Sequence, residues 1–270
     1  MNLYRLKVGL YDAKCQALRL LRIGSNMIQR PAAEHHFLFI LCAPYSGSTL
    51  LHELVSTSSA VSANNIFGTR EGMSLPDVRQ LVDYREEWNS AYAYPWPQIK
   101  ERWLQYWDHS KPILLDKSPA AILRAEAIEQ HFKPISFLAL VRHPYAHVES
   151  LMRRNKLSLD EALQFSIQLL KAQHDNLKSR QRVLLVRYED LVDKPAATCA
   201  AIEAFLPGLG PLEHSQKFKA HNQTGEPQVL RNFNSISLKR LAPDQLQKMK
   251  DQLQEHQDIL SNFGYSLDAI

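Results

Sequence analysis

The fold class follows from the stretch Phe37-Leu-Phe-Ile-Leu-Cys-Ala-Pro44-Tyr-Ser-Gly-Ser-Thr-Leu-Leu51, which joins an apolar run, a short loop and a segment able to form a helix. Proteins of the α/β class hold phosphate at such a junction, because the first amides of a helix lack intrahelical partners and the helix dipole adds positive charge there. Gly47 lets the backbone approach an anion closely, and the hydroxyls of Ser46, Ser48 and Thr49 add donors. The stretch predicts a phosphate-binding loop.

This loop differs from the phosphate loop of nucleoside triphosphatases, which has the pattern Gly-x-x-x-x-Gly-Lys-Ser/Thr. No lysine precedes Ser48, and no glycine opens the loop. We therefore expect a bound phosphate group held in a different way from that of an ATPase. A P-loop kinase or nucleotide-hydrolysing enzyme remains an alternative function.

Length and composition are those of an ordinary globular protein. The chain has 270 residues, of which 45% are hydrophobic and 22% charged, and this suits one large α/β domain with a helical insert. A net charge of +4 suits an anionic small molecule and is too weak to indicate nucleic-acid binding. No apolar run reaches the roughly 18 residues of a transmembrane helix. The three cysteines are distant in sequence and no Cys/His spacing is typical of zinc, so we expect a metal-free, cytoplasmic protein.

Short apolar runs separated by helical patterns predict a P-loop-like three-layer sandwich, with a mostly parallel central sheet and helices on both faces. The predicted strands are 37–42, 113–115, 135–141 and 183–186, with a further short strand at 61–64. The predicted helices are 48–57, 120–131, 145–154, 159–178, 196–205 and one from Pro243 to near Gly264. Residues 209–231 are polar and without pattern, which predicts an irregular connection.

Residues 1–30 read as an N-terminal amphipathic helix, followed by a single α/β domain over residues 31–270. Apolar residues recur at helical spacing from Leu3 to Leu21 with basic residues between them, and Gly24-Ser25-Asn26 predicts the end of the helix. The helix either docks on its own domain or contacts a membrane surface or a partner. It is therefore a candidate contact in a homo-oligomer.

Residues 84–107 form an aromatic-rich insert that contains all four tryptophans of the chain. The simpler interpretation is a satellite core beneath a helical insert. The alternative is that some of these rings line an acceptor pocket or form a lid.

A second anion site is predicted where the run 135–141 leads into Arg142-His-Pro144. Ligands of open parallel sheets bind beyond the carboxyl ends of the strands, and the planar guanidinium of Arg142 suits bidentate phosphate contact. Ser150 lies about two helical turns further on and is expected to share the anion. Two such sites in one chain indicate a ligand with two separated phosphate groups.

Four segments together resemble the sulfotransferase family that uses 3′-phosphoadenosine 5′-phosphosulfate (PAPS). They are Pro44-Tyr-Ser-Gly-Ser-Thr-Leu50, Leu115-Asp-Lys-Ser-Pro119, Arg142-His-Pro-Tyr-Ala-His-Val-Glu-Ser150 and Val186-Arg-Tyr-Glu-Asp-Leu191. The resemblance covers about residues 36–265. It implies transfer of a sulfuryl group to a hydroxyl or amine of a small-molecule, carbohydrate, lipid or peptide acceptor, with no metal, nucleic-acid partner or transmembrane span.

The resemblance also implies roles for individual residues. Arg142 and Ser150 bind the 3′-phosphate, and Lys117 reaches the bridging oxygen or the sulfuryl group. The 5′-phosphosulfate is bound by the first loop, which comprises Tyr45, Ser46, Gly47, Ser48, Thr49 and Leu50. The family usually has Arg or Lys where this chain has Tyr45, so another base must compensate, or donor binding is weaker or the donor differs. A non-catalytic nucleotide-binding relative is therefore a further alternative.

The general base is expected to be Glu71, in the segment Gly68-Thr-Arg-Glu-Gly72. This segment resembles the place where carbohydrate- and tyrosine-modifying sulfotransferases keep a catalytic glutamate. Arg70 is expected to keep Glu71 ionised or to contact an anionic acceptor. His52 is the second candidate, because histidine titrates near neutral pH.

Two further pairs of residues have weaker indications. His143 and His147 flank the second anion site and are expected to be structural. Lys239 and Arg240 precede the last predicted helix, and they are candidates to close over the nucleotide.

Overall fold

A five-stranded parallel sheet forms the centre of the computed structural model, which describes residues 3–218 and 229–267. The strands are β1 (His36–Cys42), β2 (Val61–Ala63), β3 (Ile113–Lys117), β4 (Ile135–Val141) and β5 (Val183–Arg187). Their order in the sheet is β2-β3-β1-β4-β5, and every pairing is parallel. The predicted α/β sandwich with a parallel sheet is confirmed.

Helices cover both faces of the sheet. They are α1 (Leu3–Ile28), α2 (Ser48–Val55), α3 (Trp96–Trp103), α4 (Ala125–His131), α5 (Pro144–Asn155), α6 (Leu159–Ser179), α7 (Tyr188–Asp193), α8 (Pro195–Phe205), α9 (Asn234–Leu238), α10 (Pro243–Gln254) and α11 (Gln257–Asn262). Short 3₁₀ helices lie at Gly72–Ser74, Tyr84–Glu86 and Pro119–Leu123. The helix predicted from Pro243 to Gly264 is therefore two helices. The described parts of the predicted irregular connection, 209–218 and 229–231, contain no helix.

The N-terminal helix α1 docks on the domain and continues past its predicted stop signal. Cys15 and Leu18 of α1 are buried against the domain, and Arg22 is paired with Asp108 at 2.7 Å. The prediction that the helix stops at Gly24-Ser25-Asn26 was wrong, since α1 continues to Ile28. The side chain of Asn26 donates to the carbonyl of Trp107 at 3.0 Å and accepts from the amide of His109 at 2.9 Å. It therefore binds the domain and does not terminate the helix.

Alternate side chains of β1 pack on opposite faces of the sheet, as the two-residue period of a strand requires. Phe37, Phe39 and Leu41 face the aromatic insert, α3 and α4. Leu38, Ile40 and Cys42 face α2 and α8. Each residue of these two sets is buried, so β1 is the centre of the molecule on both faces.

The aromatic insert belongs to the main core, and the prediction of a satellite core was wrong. Trp103 lies 5.8 Å from Phe132 and 5.9 Å from Phe39 between ring centroids. Trp107 donates its indole N–H to the carbonyl of Leu115 at 3.0 Å. Because Trp103 packs on β1 and Trp107 donates a hydrogen bond to β3, the insert fixes one face of the sheet. Within the described chain, no helix combines the length and hydropathy that a membrane crossing requires.

Candidate functional site

A cleft of about 710 Å³ opens where β3, β1 and β4 end. Parallel strands direct their carboxyl ends to one edge of the sheet, and this is the edge where α/β proteins bind ligands. Residues from the β1–α2 loop, the ends of β3 and β4 and the second half of α5 line this one cleft. The structure therefore brings together segments that are more than 90 residues apart in sequence.

The β1–α2 loop turns sharply through two residues in the left-handed region, Tyr45 (φ 61°) and Gly47 (φ 95°). A Cβ atom on Gly47 would lie 2.5 Å from the ring of Tyr188, so only glycine fits there. Ser48, Thr49 and Leu50 begin α2 and line the cleft. The backbone of this loop thus has the form expected of an anion-binding turn.

Ser46 is the exception within the predicted loop. Its side chain is buried, and its hydroxyl donates to the carbonyl of Ala43 at 2.7 Å. Its backbone amide also donates to that carbonyl, at 3.4 Å. Ser46 therefore stabilises the turn, and the geometry does not support the expected contact between its hydroxyl and a ligand.

Arg142 is buried at the end of β4 and connects the two predicted anion sites. Its Nη1 donates to the carbonyl of Tyr45 at 2.9 Å and lies 3.4 Å from the hydroxyl of Ser150. The guanidinium also lies 4.7 Å from the centroid of the Tyr188 ring, within range of a cation–π interaction. Burial lowers the pKa of Arg142, yet an arginine stays charged at neutral pH. A permanent cation is thus fixed beside the first loop.

Two residues that the sequence did not indicate hold the guanidinium in place. The side chain of Asn234 in α9 accepts from Arg142 Nε at 2.9 Å and donates to Glu189 at 2.6 Å. Glu189 also accepts from the amide of His143 and from the hydroxyl of Tyr265. No motif surrounds Asn234, so only the folded chain reveals its contact. Glu189 belongs to the segment 186–191, whose resemblance did not specify a role for it.

The cation of Arg154 lies beside Tyr45. The hydroxyl of Tyr45 donates to the side chain of Asn155 at 2.6 Å, and the Arg154 guanidinium lies 5.6 Å from the centre of the Tyr45 ring. Arg154 and Asn155 both line the cleft. A cation from the end of α5 therefore lies next to the position where the family has Arg or Lys.

Lys117 and Glu71 form an ion pair inside the cleft. Lys117 is the last residue of β3 and is 1% exposed. Its ammonium donates to Glu71 Oε1 at 3.1 Å and to the carbonyl of Thr69 at 2.7 Å. The Glu71 side chain is 25% exposed, so a carboxylate reachable from solvent lies directly beside a buried cation.

Buried Asp116 anchors the loop that carries Glu71. Its Oδ1 accepts from the side chain of Asn64 at 2.9 Å, the amide of Gly72 at 3.1 Å and the hydroxyl of Ser118 at 3.3 Å. Burial raises the pKa of Asp116 to about 6. The carbonyl of Glu71 accepts from the side chain of Asn65 at 2.8 Å. These bonds hold the backbone of Glu71 against the end of β3.

Two further residues expected to act with or in place of Glu71 have other surroundings. Arg70 pairs with Glu53 of α2 and donates to the carbonyl of Gly68, so Lys117 is the cation beside Glu71. His52 is 2% exposed, its ring nitrogens have no hydrogen-bond partner within the described parts of the chain, and burial lowers its pKa well below the usual value. The structure does not bring His52 to the cleft lining, whereas Glu71 is part of it.

Of the other residues predicted near the nucleotide, His147 is buried in the fold and Arg240 lines the cleft. His147 is buried between the hydroxyl of Ser166 and the carbonyl of Pro44, and burial lowers its pKa to about 4. Its position is that of a structural residue. Arg240 lines the cleft and pairs with Glu149 at 3.4 Å.

Glu87 and Trp88 of the aromatic insert form a wall of the cleft. A pocket-lining ring was the alternative interpretation of the insert, whereas the sequence gave no indication of Glu87. Burial, with a further contribution from the charge of Glu71, raises the pKa of Glu87 to about 7. The carbonyl of Glu87 accepts from Arg124 at 2.9 Å, and the Trp88 ring packs edge-on against Phe165 at 4.9 Å. One wall of the cleft is thus partly apolar and carries a second carboxyl group.

A sequence model of the sulfotransferase family matches residues 38–209, which is more than half of the chain. The chain belongs to the sulfotransferase family. Sulfuryl transfer is therefore its general chemistry. A comparison with curated proteins gave no significant match. Within the described parts of this sulfotransferase, no cluster of three or more His, Cys, Asp or Glu side chains is arranged to hold a metal ion.

Solved sulfotransferase structures have the same fold. The sulfotransferase domain of the curacin biosynthetic pathway is 20% identical, with a TM-score of 0.50 over 87% of this chain and 99% of that domain. The domain of the Synechococcus PCC 7002 olefin synthase is 20% identical, with a TM-score of 0.53 over 88% and 98%. A sulfotransferase from Alicyclobacillus acidocaldarius is 14% identical, with a TM-score of 0.53 over 90% and 99%.

Replacement of Gly72 by alanine is expected to damage the loop of this sulfotransferase that carries Glu71. A Cβ atom at position 72 would overlap Asp116 Oδ1 and the Asn64 amide, and would lie 2.9 Å from Trp103. We expect Gly72→Ala to lower the free energy of unfolding by about 1–3 kcal/mol, measured by urea denaturation. The control is Gly9→Ala, because a Cβ at Gly9 in α1 meets no atom within 4 Å. Equal stability of both variants would contradict the anchoring role of this contact.

Glu87→Gln is expected to change how stability depends on pH. Since the pKa of Glu87 is raised from 4.5 to about 7 in the folded protein, its contribution to stability is fully present below about pH 4.5 and is lost as the pH rises through 7. Glutamine does not titrate. The free energy of unfolding of the variant, relative to that of the wild type, should therefore rise by on the order of 1–2 kcal/mol between pH 5 and pH 8. The measurement is chemical denaturation at several pH values. A constant difference would show that Glu87 titrates normally.

Proposed function

We propose that this sulfotransferase moves a sulfuryl group from PAPS to a hydroxyl or amine acceptor. One observation carries the proposal: two anion-suited turns meet in one cleft, where Arg142 Nη1 lies 2.9 Å from the carbonyl of Tyr45. A donor with phosphate groups at both ends of a ribose requires two such sites at short range. The Lys117–Glu71 pair lies in the same cleft and adds the groups needed for transfer.

The donor is held by the backbone of the first loop and by charged side chains. The guanidinium of Arg142 and the hydroxyl of Ser150 bind the 3′-phosphate, and these two groups already lie 3.4 Å apart. The backbone amides and the hydroxyls of Ser48 and Thr49, at the start of α2, donate to the 5′-phosphosulfate. Arg154 supplies the positive charge that Tyr45 cannot supply.

Acceptor activation is assigned to Glu71. Its carboxylate takes the proton of the acceptor hydroxyl or amine while the acceptor atom forms a bond to sulfur and the bond from sulfur to the 5′-phosphate oxygen breaks. Lys117 stabilises the negative charge that develops on the departing phosphate and on the sulfuryl oxygens. Because Lys117 is buried and bonded to Thr69 and Glu71, little reorganisation precedes this step.

The acceptor enters along the wall formed by Glu87 and Trp88. An aromatic face beside a carboxyl group suits a partly apolar molecule with a hydroxyl or amine, and small metabolites, carbohydrates, lipid headgroups and peptides all remain candidates. A cytoplasmic location is part of the proposal, because all three cysteines are free and buried.

Donor binding is tested first with adenosine 3′,5′-bisphosphate and isothermal calorimetry. Arg142→Lys keeps the charge but loses the planar fork, so we expect binding about 10–100-fold weaker. Adenosine 5′-monophosphate, which lacks the 3′-phosphate, should bind both proteins equally. Absence of bisphosphate binding to the wild type, or equal losses for both ligands, would contradict the assignment.

Compensation for Tyr45 is tested with a pair of substitutions. Arg154→Gln should weaken bisphosphate binding about 5–10-fold, because the first loop loses the cation that lies beside Tyr45. The double variant Arg154→Gln with Tyr45→Arg should regain the bisphosphate affinity of the wild type. Tyr45→Arg alone should change that affinity little. If Arg154→Gln binds normally, the charge comes from elsewhere.

The base is tested by turnover of labelled PAPS against a panel of acceptors. Glu71→Gln should lower kcat by about 10²–10⁴-fold with bisphosphate affinity kept within about threefold. Glu129→Gln, in the distant pair with Arg180, serves as the matched control and should retain activity. A Glu71→Gln enzyme with normal kcat on an accepted substrate would exclude Glu71 as the base.

A further inference from the structure

The outward face of α1 is an apolar surface that the described part of the chain does not cover. Its large side chains are exposed by 53–88%, namely Leu6, Leu10, Leu20, Leu21, Met27 and Ile28. The opposite side of the helix is docked on the domain through Cys15 and Leu18. Large apolar side chains grouped on one surface indicate an interaction site.

Seven residues of this face recur at alternating spacings of four and three. They are Leu6, Leu10, Ala13, Ala17, Leu20, Gly24 and Met27, and we call them the α1 seam. This is the spacing of the inner positions of a heptad repeat, which places them in one stripe that faces a second helix.

The sizes of the seam residues match an antiparallel pair of identical helices. If Ala13 of one helix lies opposite Ala17 of the other, then Leu10 meets Leu20 and Leu6 meets Gly24. Small residues meet at the centre, where they permit close approach of the backbones, and large residues meet large or small ones outside it. The arrangement is two-fold symmetric, so each copy presents the same surface.

The charges of α1 favour the same orientation. Arg5, Lys7 and Lys14 lie in the first half of the helix, and the only charged residue from Leu20 to Ile28 is Arg22, which pairs with Asp108 of its own domain. A parallel pair would set the basic halves side by side. An antiparallel pair sets each basic half beside a half whose two arginines, Arg19 and Arg22, are paired with Asp77 and Asp108 of the domain, which reduces the repulsion.

We propose that two copies of this chain associate through their α1 helices, which pair antiparallel along the α1 seam. A membrane surface fits less well, because interfacial helices carry a charged face toward water and aromatic residues on the apolar face. In α1 the face opposite the seam is docked on the domain, and the seam contains no aromatic residue.

The oligomeric state of the full chain tests this proposal by sedimentation velocity up to about 100 μM, the range of a moderate interface. We expect a dimer, and Leu10→Glu with Leu20→Glu should raise its dissociation constant at least about a hundredfold. Ile66→Glu, at an exposed apolar residue outside α1, should leave the dimer intact. A monomeric wild type, or a dimer that survives the seam substitutions, would overturn the proposal. So would a monomer that binds phosphatidylserine vesicles through the seam.

Cysteine cross-linking tests the orientation without a charge in the seam. Ala13→Cys and Ala17→Cys proteins are mixed and oxidised, and the antiparallel pair predicts a mixed disulfide between residues 13 and 17, since bridged Cα atoms lie within about 7 Å. The native cysteines are buried and serve as the background control. Efficient cross-linking of Ala17→Cys alone would indicate a parallel pair, and no cross-link in the mixture would indicate another interface.

Discussion

β1 lies between β3 and β4 in a parallel sheet, and this order is the constraint on which the cleft depends. Ile40 of β1 is in register with Lys117 of β3, and Cys42 is in register with Leu140 of β4. The three chain segments that leave these strands therefore begin side by side at one edge of the sheet. The first supplies an anion-binding turn, the second a buried lysine and the third a buried arginine.

Buried charge at this edge has to be held by hydrogen bonds, because an unpaired ion in the interior destabilises a fold by several kcal/mol. Arg142 meets this requirement through Asn234, Tyr45 and the Tyr188 ring. Lys117 meets it through Glu71 and Thr69. In both cases a loop from elsewhere in the chain is fixed by the same contacts that neutralise the cation. The side chains that suit a doubly anionic ligand are thus also the ones that organise the walls of its cleft.

The sheet could be predicted from the sequence because β1, β3, β4 and β5 are short apolar runs, and a buried parallel strand requires an apolar run. Lys117 and Arg142 could be placed at the ligand edge because each follows or ends such a run. Contacts between distant segments could not be predicted in this way. Asp116 gives no sign in sequence that its carboxyl group anchors Gly72, and Asn234 stands outside any motif.

The predictions that were wrong have the same origin. Asn26 was expected to end α1, but its side chain bonds to Trp107 and His109. The tryptophans of the insert join the main core because the Trp103 ring packs on Phe39 and Phe132. Local pattern predicts an element, while its end and the partners of its side chains are decided by tertiary packing.

The most direct measurement is a crystal structure of the wild-type chain with adenosine 3′,5′-bisphosphate. The account predicts the 3′-phosphate within hydrogen-bond distance of the Arg142 guanidinium and the Ser150 hydroxyl. It predicts the 5′-phosphate at the amides of Ser48 and Thr49, with the Lys117 ammonium facing it. A nucleotide bound with its phosphates exchanged between these sites, or bound outside the cleft, would contradict the central claim.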